Sequence, residues 1–352
     1  MYTAQPLEEL KDSRLVYSTD SQPGIYRKGR PGKFYYVDKQ GNRIIDGATL
    51  DRIKALVLPP AWTNVWIAPK PKAHLQATGF DMLGRKQYRY HHEWTSRRSD
   101  SKYFRLLEFG KALPLARKRI AKDLRRKELD EQKVLAICLQ LMQKTLIRIG
   151  NESYKQLYGS YGLSTLKDKH VKINGNKMML SFVGKKGVKQ EVVLNDKILA
   201  RLVKKCRDIP GQDLFQFYKN DTEHHPIDSG RINNYIKEIT GSDFTAKDFR
   251  TWGGTLEALR QLAICESNNE ENKSKKKIIV EVLDCVAAKL GNTRAVCKSS
   301  YVYPLLLQAF EEERLGKYLK RVSIAPVNTI KAMENDEKVL MQFLRAAQKN
   351  KT

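Results

Sequence analysis

Two hydrophobic patterns divide the chain. From Gly24 to Trp94, short apolar and aromatic runs are separated by turn residues, whereas from Asp130 onwards apolar positions recur with a helical period. In the first region, Phe34–Val37 and Arg43–Ile45 flank Asp38–Asn42 and predict a hairpin. Val65–Ala68 predicts another strand, Leu75–Thr78 and Gln87–Tyr90 bracket a turn at Asp81–Gly84, and Leu50–Ala55 predicts one short helix. The aromatic residues Trp62, Trp66, Tyr35 and Tyr36 are expected in the core of this region.

In the second region, positions 134, 137, 138, 141, 145 and 149 lie on one helical face and Gly150 follows, which predicts a helix carrying Arg148 in its last turn. Ser164–Leu194 predicts a three-stranded antiparallel unit with turns at Asn174–Gly175 and Lys185–Gly187. Asn195–Glu238 alternates helical stretches with a loop at Tyr218–Pro226. Thr245 caps a helix that holds Lys247 and Arg250. The pair Gly253–Gly254 weakens that helix, which points to something approaching closely there. Ser267–Lys277 is polar and of low complexity, a loop before the amphipathic helix Ile278–Leu290, which Gly291 ends. Asn292 then begins a loop leading to Tyr301, and Leu305–Leu319 and Glu337–Gln348 predict further helices. The fold class is α+β: a small β-rich amino-terminal domain (1–96) and a larger, mainly α-helical domain (97–319) carrying a small antiparallel β unit. A carboxy-terminal helical tail (320–352) follows.

Charge narrows the function. The 352 residues include 65 Lys and Arg against 39 Asp and Glu, a net charge of +26, which suits a polyanionic partner. Arg97–Glu128 alone holds twelve cations and four anions, +8, and reads as a solvated helix face that also attracts a duplex. Gly84–Tyr90 packs three cations, an amide and two phenols into seven residues, a composition suited to phosphates and base edges. The absence of a long apolar run, and of a signal peptide at the first residues, leads to the expectation of a soluble, intracellular protein. Five scattered cysteines argue against a disulfide framework, and the adjacent pairs His91–His92 and His224–His225 lack metal-binding spacing. No metal or other cofactor is expected.

A tyrosine titrates near pH 10 and becomes a useful nucleophile only where cations and donors stabilise the developing charge. Tyr301 opens an apolar stretch and, taken alone, would be a packing residue. Distant segments supply the missing chemistry: Arg148, Lys185 beside Gly184, Arg250, and Asn292 nine residues before the tyrosine. The set, in the order Arg148, Lys185, Arg250, Asn292, Tyr301, resembles the active site of the type IB DNA topoisomerases, in particular their short bacterial and poxvirus-like branch. Many members have His where Asn292 stands, and bacterial-type members share the Asn. The family places its lysine directly after the Gly, which selects Lys185 over Lys186, and its tyrosine spacing selects Tyr301 over Tyr303.

The resemblance spans Gly24–Leu319, and Pro59–Trp62 with Leu75–His91 resemble the family's amino-terminal clamp domain. It implies DNA contacts from Arg85, Lys86, Gln87, Tyr88, Asn151, Tyr154 and Lys247. It also implies relaxation of supercoiled duplex DNA through transient single-strand cleavage, a 3′-phosphotyrosyl intermediate and religation, independent of ATP and metal. Arg148 and Arg250 would clamp the nonbridging oxygens, Lys185 would protonate the leaving 5′ oxygen, and Asn292 would donate one hydrogen bond. The expected protein is a nucleoid-associated monomer of the cytoplasm, encircling the duplex as a clamp. Two rivals remain: a tyrosine recombinase, which usually has His where Lys247 stands and a helical amino-terminal domain, and a non-enzymatic basic DNA-binding protein.

Overall fold

A computed structural model describes residues 14–82, 84, 86–220, 223–268, 273–324 and 330–349. The chain divides into two compact units, Met1–Lys102 and Tyr103–Thr352, and among the described residues no helix is long and apolar enough to cross a membrane.

The first unit is built on an antiparallel sheet of order β2-β1-β3-β4-β5, formed by β1 (Ile25–Arg30), β2 (Lys33–Val37), β3 (Thr63–Ile67), β4 (Leu75–Phe80) and β5 (Lys86–Tyr90). Helix α1 (Gly47–Ala55) starts at Asp46, whose carboxylate accepts from the Thr49 N–H at 2.9 Å. Its Ile53 packs with Ile25, Val65, Ile67 and Ala77. The expected hairpin is present but short: Val37 bridges Arg43 and the Ile44 N–H donates to the Tyr36 carbonyl at 2.9 Å, while the longer ladder of β2 is with β1. Asp38 closes its turn, accepting from the Gln40 and Asn42 amides at 2.9 Å each. Trp66 is buried as expected and Tyr36 and Trp62 flank the core, but Tyr35 is exposed beneath the Arg43 guanidinium, 4.8 Å from its ring.

Helix α2 (His92–Asp123) continues into the second unit. There follow α3 (Glu131–Thr145), α4 (Glu152–Tyr158) and the three-stranded antiparallel sheet β6 (Val171–Asn174), β7 (Lys177–Val183) and β8 (Lys189–Asn195). After α5 (Lys197–Arg207), the stretch expected as a loop pairs instead as a short hairpin, β9 (Gln216–Tyr218) with β10 (His224–Pro226). The remaining helices are α6 (Ser229–Thr240), α7 (Ala246–Ser267), α8 (Lys275–Leu290), α9 (Arg294–Ser300), α10 (Pro304–Glu311), α11 (Gly316–Leu319) and α12 (Ile330–Lys349). One apolar core joins them: α3 supplies Val134, Ile137, Cys138 and Leu141, α7 supplies Phe249, Leu256 and Leu259, and α12 supplies Leu340 and Phe343.

The basic run on α2 is not simply a solvated face. Arg105 pairs with Asp248 at 2.9 Å, Arg119 with Asp123 at 2.8 Å, and Arg117, its side chain only 11% exposed, with Glu337 at 2.6 Å. Part of the positive charge in this stretch is therefore neutralised inside the unit.

Candidate active site

Helix α3 ends at Thr145 because Leu146 turns left-handed, with φ 55°. Arg148 therefore lies in a non-helical segment beyond the helix, contrary to the periodicity, which runs on because Leu146 and Ile147 still bury in the same core. The Leu163 and Ser164 N–H groups donate to the Arg148 and Ile149 carbonyls at 2.8 and 2.7 Å. The segments lie so close that a Cβ at Gly162 would sit 2.6 Å from the Arg148 carbonyl oxygen. Held there, Arg148 Nη2 donates to the Gly291 carbonyl at 2.9 Å and to Asn292 Oδ1.

Arg250 reaches the same point from α7. Thr245 and Asp248 form the capping box that starts this helix, with the Thr245 N–H donating to Asp248 Oδ2 at 2.8 Å. Arg250 is 3% exposed. Its Nη1 donates to the Leu146 carbonyl and its Nη2 to the Leu290 carbonyl at 3.0 Å, so one guanidinium joins the ends of α3 and α8. The guanidinium carbon lies 5.1 Å from the Tyr301 ring centroid. The expected close approach at the glycine pair is present. A Cβ at Gly253 would lie 2.4 Å from Leu146 Cδ2, and one at Gly254 would lie 3.0 Å from the Tyr301 carbonyl oxygen.

Gly291, left-handed at φ 57°, ends α8, and Asn292 follows it. The connection from Asn292 to Tyr301 is the short helix α9, capped by Thr293, rather than a loop. Tyr301 follows α9 directly and is half-buried. Thr255, fully buried on α7, donates to the Tyr301 carbonyl at 3.1 Å and accepts from the Tyr303 N–H at 3.2 Å. Tyr303 differs from Tyr301: it is 5% exposed and meets the Phe343 ring edge-on in the core, 6.2 Å between centroids.

Burial holds both guanidiniums below the usual arginine value. Tyr301 acts in the opposite sense on each, and Arg148 adds like-charge repulsion at Arg250. Both remain cations at neutral pH. Burial pushes the Cys297 thiol up to about 11 despite the two guanidiniums, so it does not compete as an anion. Two buried N–H donors in the group, Arg250 Nε and Asn292 Nδ2, have no acceptor. Buried donors are rarely left so, and each such case calls for a reason, a catalytic role or a bound ion among them.

Lys185 stands at the exposed β7–β8 turn, where Lys186 is left-handed at φ 64°. Its Nζ lies 5.9 Å from the Tyr154 ring centroid, while the Asn151 side chain caps α4 by accepting from the Tyr154 N–H at 3.2 Å. The base of this turn meets the Gly291 corner through Gln190. A Cβ at Gly291 would lie 2.4 Å from Gln190 Nε2, and one at Gly184 would lie 3.0 Å from Gln190 Cγ. Neither Gln190 nor Thr255 stands out in the sequence. A polar residue on a strand or in a helix interior carries no signal of what it touches.

Of the residues expected on DNA, Arg85 lies outside the described residues. Lys86 pairs with Asp20 at 2.6 Å and Gln87 donates to Asp81 at 2.9 Å, so carboxylates already engage both. Tyr88 is 49% exposed and stacks on Tyr90, Tyr154 is 42% exposed, and Lys247 is exposed in the first turn of α7. Away from this group, His91, His92 and Glu93 bring ligand atoms within 4.8 Å of one another, although His91 Nδ1 already accepts from the Glu93 N–H at 3.2 Å.

The fold is thus a β-rich unit followed by a mainly helical one, in which Arg148, Asn292 and Tyr301 follow the ends of α3, α8 and α9 and Arg250 stands near the start of α7. Residues 91–321 match the family described as eukaryotic DNA topoisomerase I, catalytic core, and residues 33–81 match bacterial DNA topoisomerase IB, N-terminal domain. DNA topoisomerase 1B of Acanthamoeba polyphaga mimivirus is 34% identical over 295 residues, covering 82% of this chain and 88% of its own. DNA topoisomerase 1B of Vaccinia virus (strain Copenhagen) is 25% identical over 239 residues, covering 67% and 72%, and DNA topoisomerase 1 of Rabbit fibroma virus (strain Kasza) is 23% identical over 298 residues, covering 82% and 87%. The chain belongs to the type IB DNA topoisomerases, of the short viral and bacterial-like kind, and is an isomerase. Both rival readings fall with this membership.

Proposed function

We propose that the enzyme relaxes supercoiled duplex DNA by breaking and resealing one strand through a phosphotyrosyl intermediate on Tyr301. As the Tyr301 Oη–phosphorus bond forms, the phenol proton passes to solvent water and the bond from phosphorus to the 5′ oxygen breaks. Lys185 delivers a proton to that leaving oxygen, a role worth roughly 10² to 10⁴ in rate for a general acid. The strand then carries a 3′-phosphotyrosyl link, and religation reverses each step with no net hydrolysis or redox change. Arg148 and Arg250 clamp the nonbridging oxygens as charge builds, and Asn292 donates one hydrogen bond to them.

The observation that carries this reading is the pair of buried, unpartnered donors, Arg250 Nε, on the guanidinium 5.1 Å from the Tyr301 ring, and Asn292 Nδ2, on the side chain that accepts from Arg148. An oxyanion would satisfy both, and a lost donor of this type costs about 10² to 10³ in rate. Because two guanidiniums supply the positive charge and none of the five residues is a carboxylate, the chemistry needs no divalent ion. Duplex DNA is the partner, with residues 1–96 serving as a DNA-clamp domain, residues 97–319 carrying catalysis, and one copy closing round the duplex. Tyr88, Tyr154, Asn151 and Lys247, together with Arg85, Lys86 and Gln87, supply DNA contacts. For Lys86 and Gln87 this means exchanging a carboxylate partner for the nucleic acid.

Purified protein should relax supercoiled plasmid in EDTA without ATP. Plasmid left supercoiled under those conditions, at protein concentrations that shift a duplex in a binding assay, would contradict the proposal.

A further inference from the structure

Helix α12 lies beyond residue 321, where the family match ends. Its sequence, rich in Glu, Asn, Asp and Lys, looks like a surface tail, yet Asp336 is fully buried and Glu337 is 6% exposed. Burying carboxylates is costly unless each is paired, and covering apolar surface would have needed only Val339, Leu340, Phe343 and Leu344. Both acids are paired to specific partners. Asp336 accepts from the Ser323 N–H at 2.9 Å and faces Arg260 Nε at 3.0 Å. Glu337 takes the Arg117 fork, at 2.6 and 2.8 Å, and its Oε1 also accepts from Trp252 Nε1 at 2.9 Å.

Trp252 follows Arg250 by two residues on α7. Two residues turn a helix by about 200°, so the faces are nearly opposite: Arg250 meets Leu146, Leu290 and Tyr301, while Trp252 meets Glu337 and α2. The approach is tight, since a Cβ at Gly110 of α2 would lie 2.4 Å from Met341 Sδ and 2.5 Å from Trp252 Cη2. Six residues beyond Glu337, Phe343 packs edge-on against Tyr303, two residues after Tyr301. A single helix thus grips both the element that carries Arg250 and the segment that carries Tyr301.

We propose that α12 is a brace setting the distance between the Arg250 guanidinium and the Tyr301 phenol, with Glu337 as the positioning residue. The inference rests on the roles of Arg250 and Tyr301 given above. A displacement of about 1 Å in a reacting group can cost about 10²-fold in rate. A helix that only stabilised the fold would change how much protein is active, without changing how fast each active molecule cleaves.

The test uses full-length protein with Glu337→Ala, Glu337→Gln and Trp252→Phe, measuring the single-turnover cleavage rate and amplitude on a labelled duplex together with duplex affinity. In Glu337→Ala the cleavage rate constant should fall about 10- to 100-fold, at undiminished amplitude and with affinity within about twofold of wild type. Glu337→Gln, which keeps an acceptor for Trp252 Nε1, should recover most of that loss. Should Glu337→Ala fail to fold, Trp252→Phe, which removes the N–H and keeps an aromatic ring, should show the same slowing. A wild-type rate constant in whichever of these two variants folds, with Tyr301→Phe inactive, would overturn the brace. A cleaving Tyr301→Phe protein would overturn the catalytic assignment, and the brace with it.

Discussion

Thr255 illustrates how far the proposed nucleophile depends on a side chain with no chemistry of its own. Its hydroxyl serves the Tyr301 carbonyl and the Tyr303 N–H together, in a fully buried position. Thr255→Val keeps the shape and leaves both groups unpaired, at a cost of about 1–3 kcal/mol each. Urea unfolding should show a lower midpoint with an unchanged slope, and relaxation should slow; an unchanged midpoint would mean that the hydroxyl holds nothing. At this scale spacing singled out candidates, Asn292 nine residues before Tyr301 and Lys185 directly after Gly184, through the family resemblance. The sequence was silent where contact mattered: Glu337 reads as one more acid in a polar run, and Gln190 as an ordinary strand residue.

Elements were legible by their period and less so at their ends. The β6–β7–β8 unit, the capped start of α7 and the glycine end of α8 follow the sequence expectation because each carries its own local signal. The end of α3 does not. The apolar rhythm continues past Thr145, but Leu146 turns left-handed against Gly253, a partner more than a hundred residues away. The displacement matters, because it takes Arg148 out of the helix and points it at the end of α8. The β7–β8 turn carries a second prediction. Lys185→Ala should lower the cleavage rate by about 10² to 10⁴ with little loss of duplex affinity, whereas Lys186→Ala should remain near wild type. Equal effects of the two substitutions in a rapid-quench cleavage assay would remove Lys185 from the general-acid role.

Across the whole molecule, the net charge of +26 pointed to a polyanion before any motif did. The structure refines this reading, since Arg105, Arg117 and Arg119 in the most basic stretch are engaged by Asp248, Glu337 and Asp123. Charge thus has two uses here, one electrostatic and one architectural, and composition cannot separate them. The β-rich first unit and the helical second unit were visible from hydrophobic patterning, and family membership agrees with both. The integration of α12 into the second unit's core was not visible, because its buried carboxylates hide an inward face. The most direct test of the central claim is to trap the covalent complex on a labelled duplex and identify the modified residue by peptide mapping. DNA linked through a 3′ phosphate to Tyr301, and no such link in Tyr301→Phe, is the expected result; a link to Tyr303 or to any other residue would overturn the assignment.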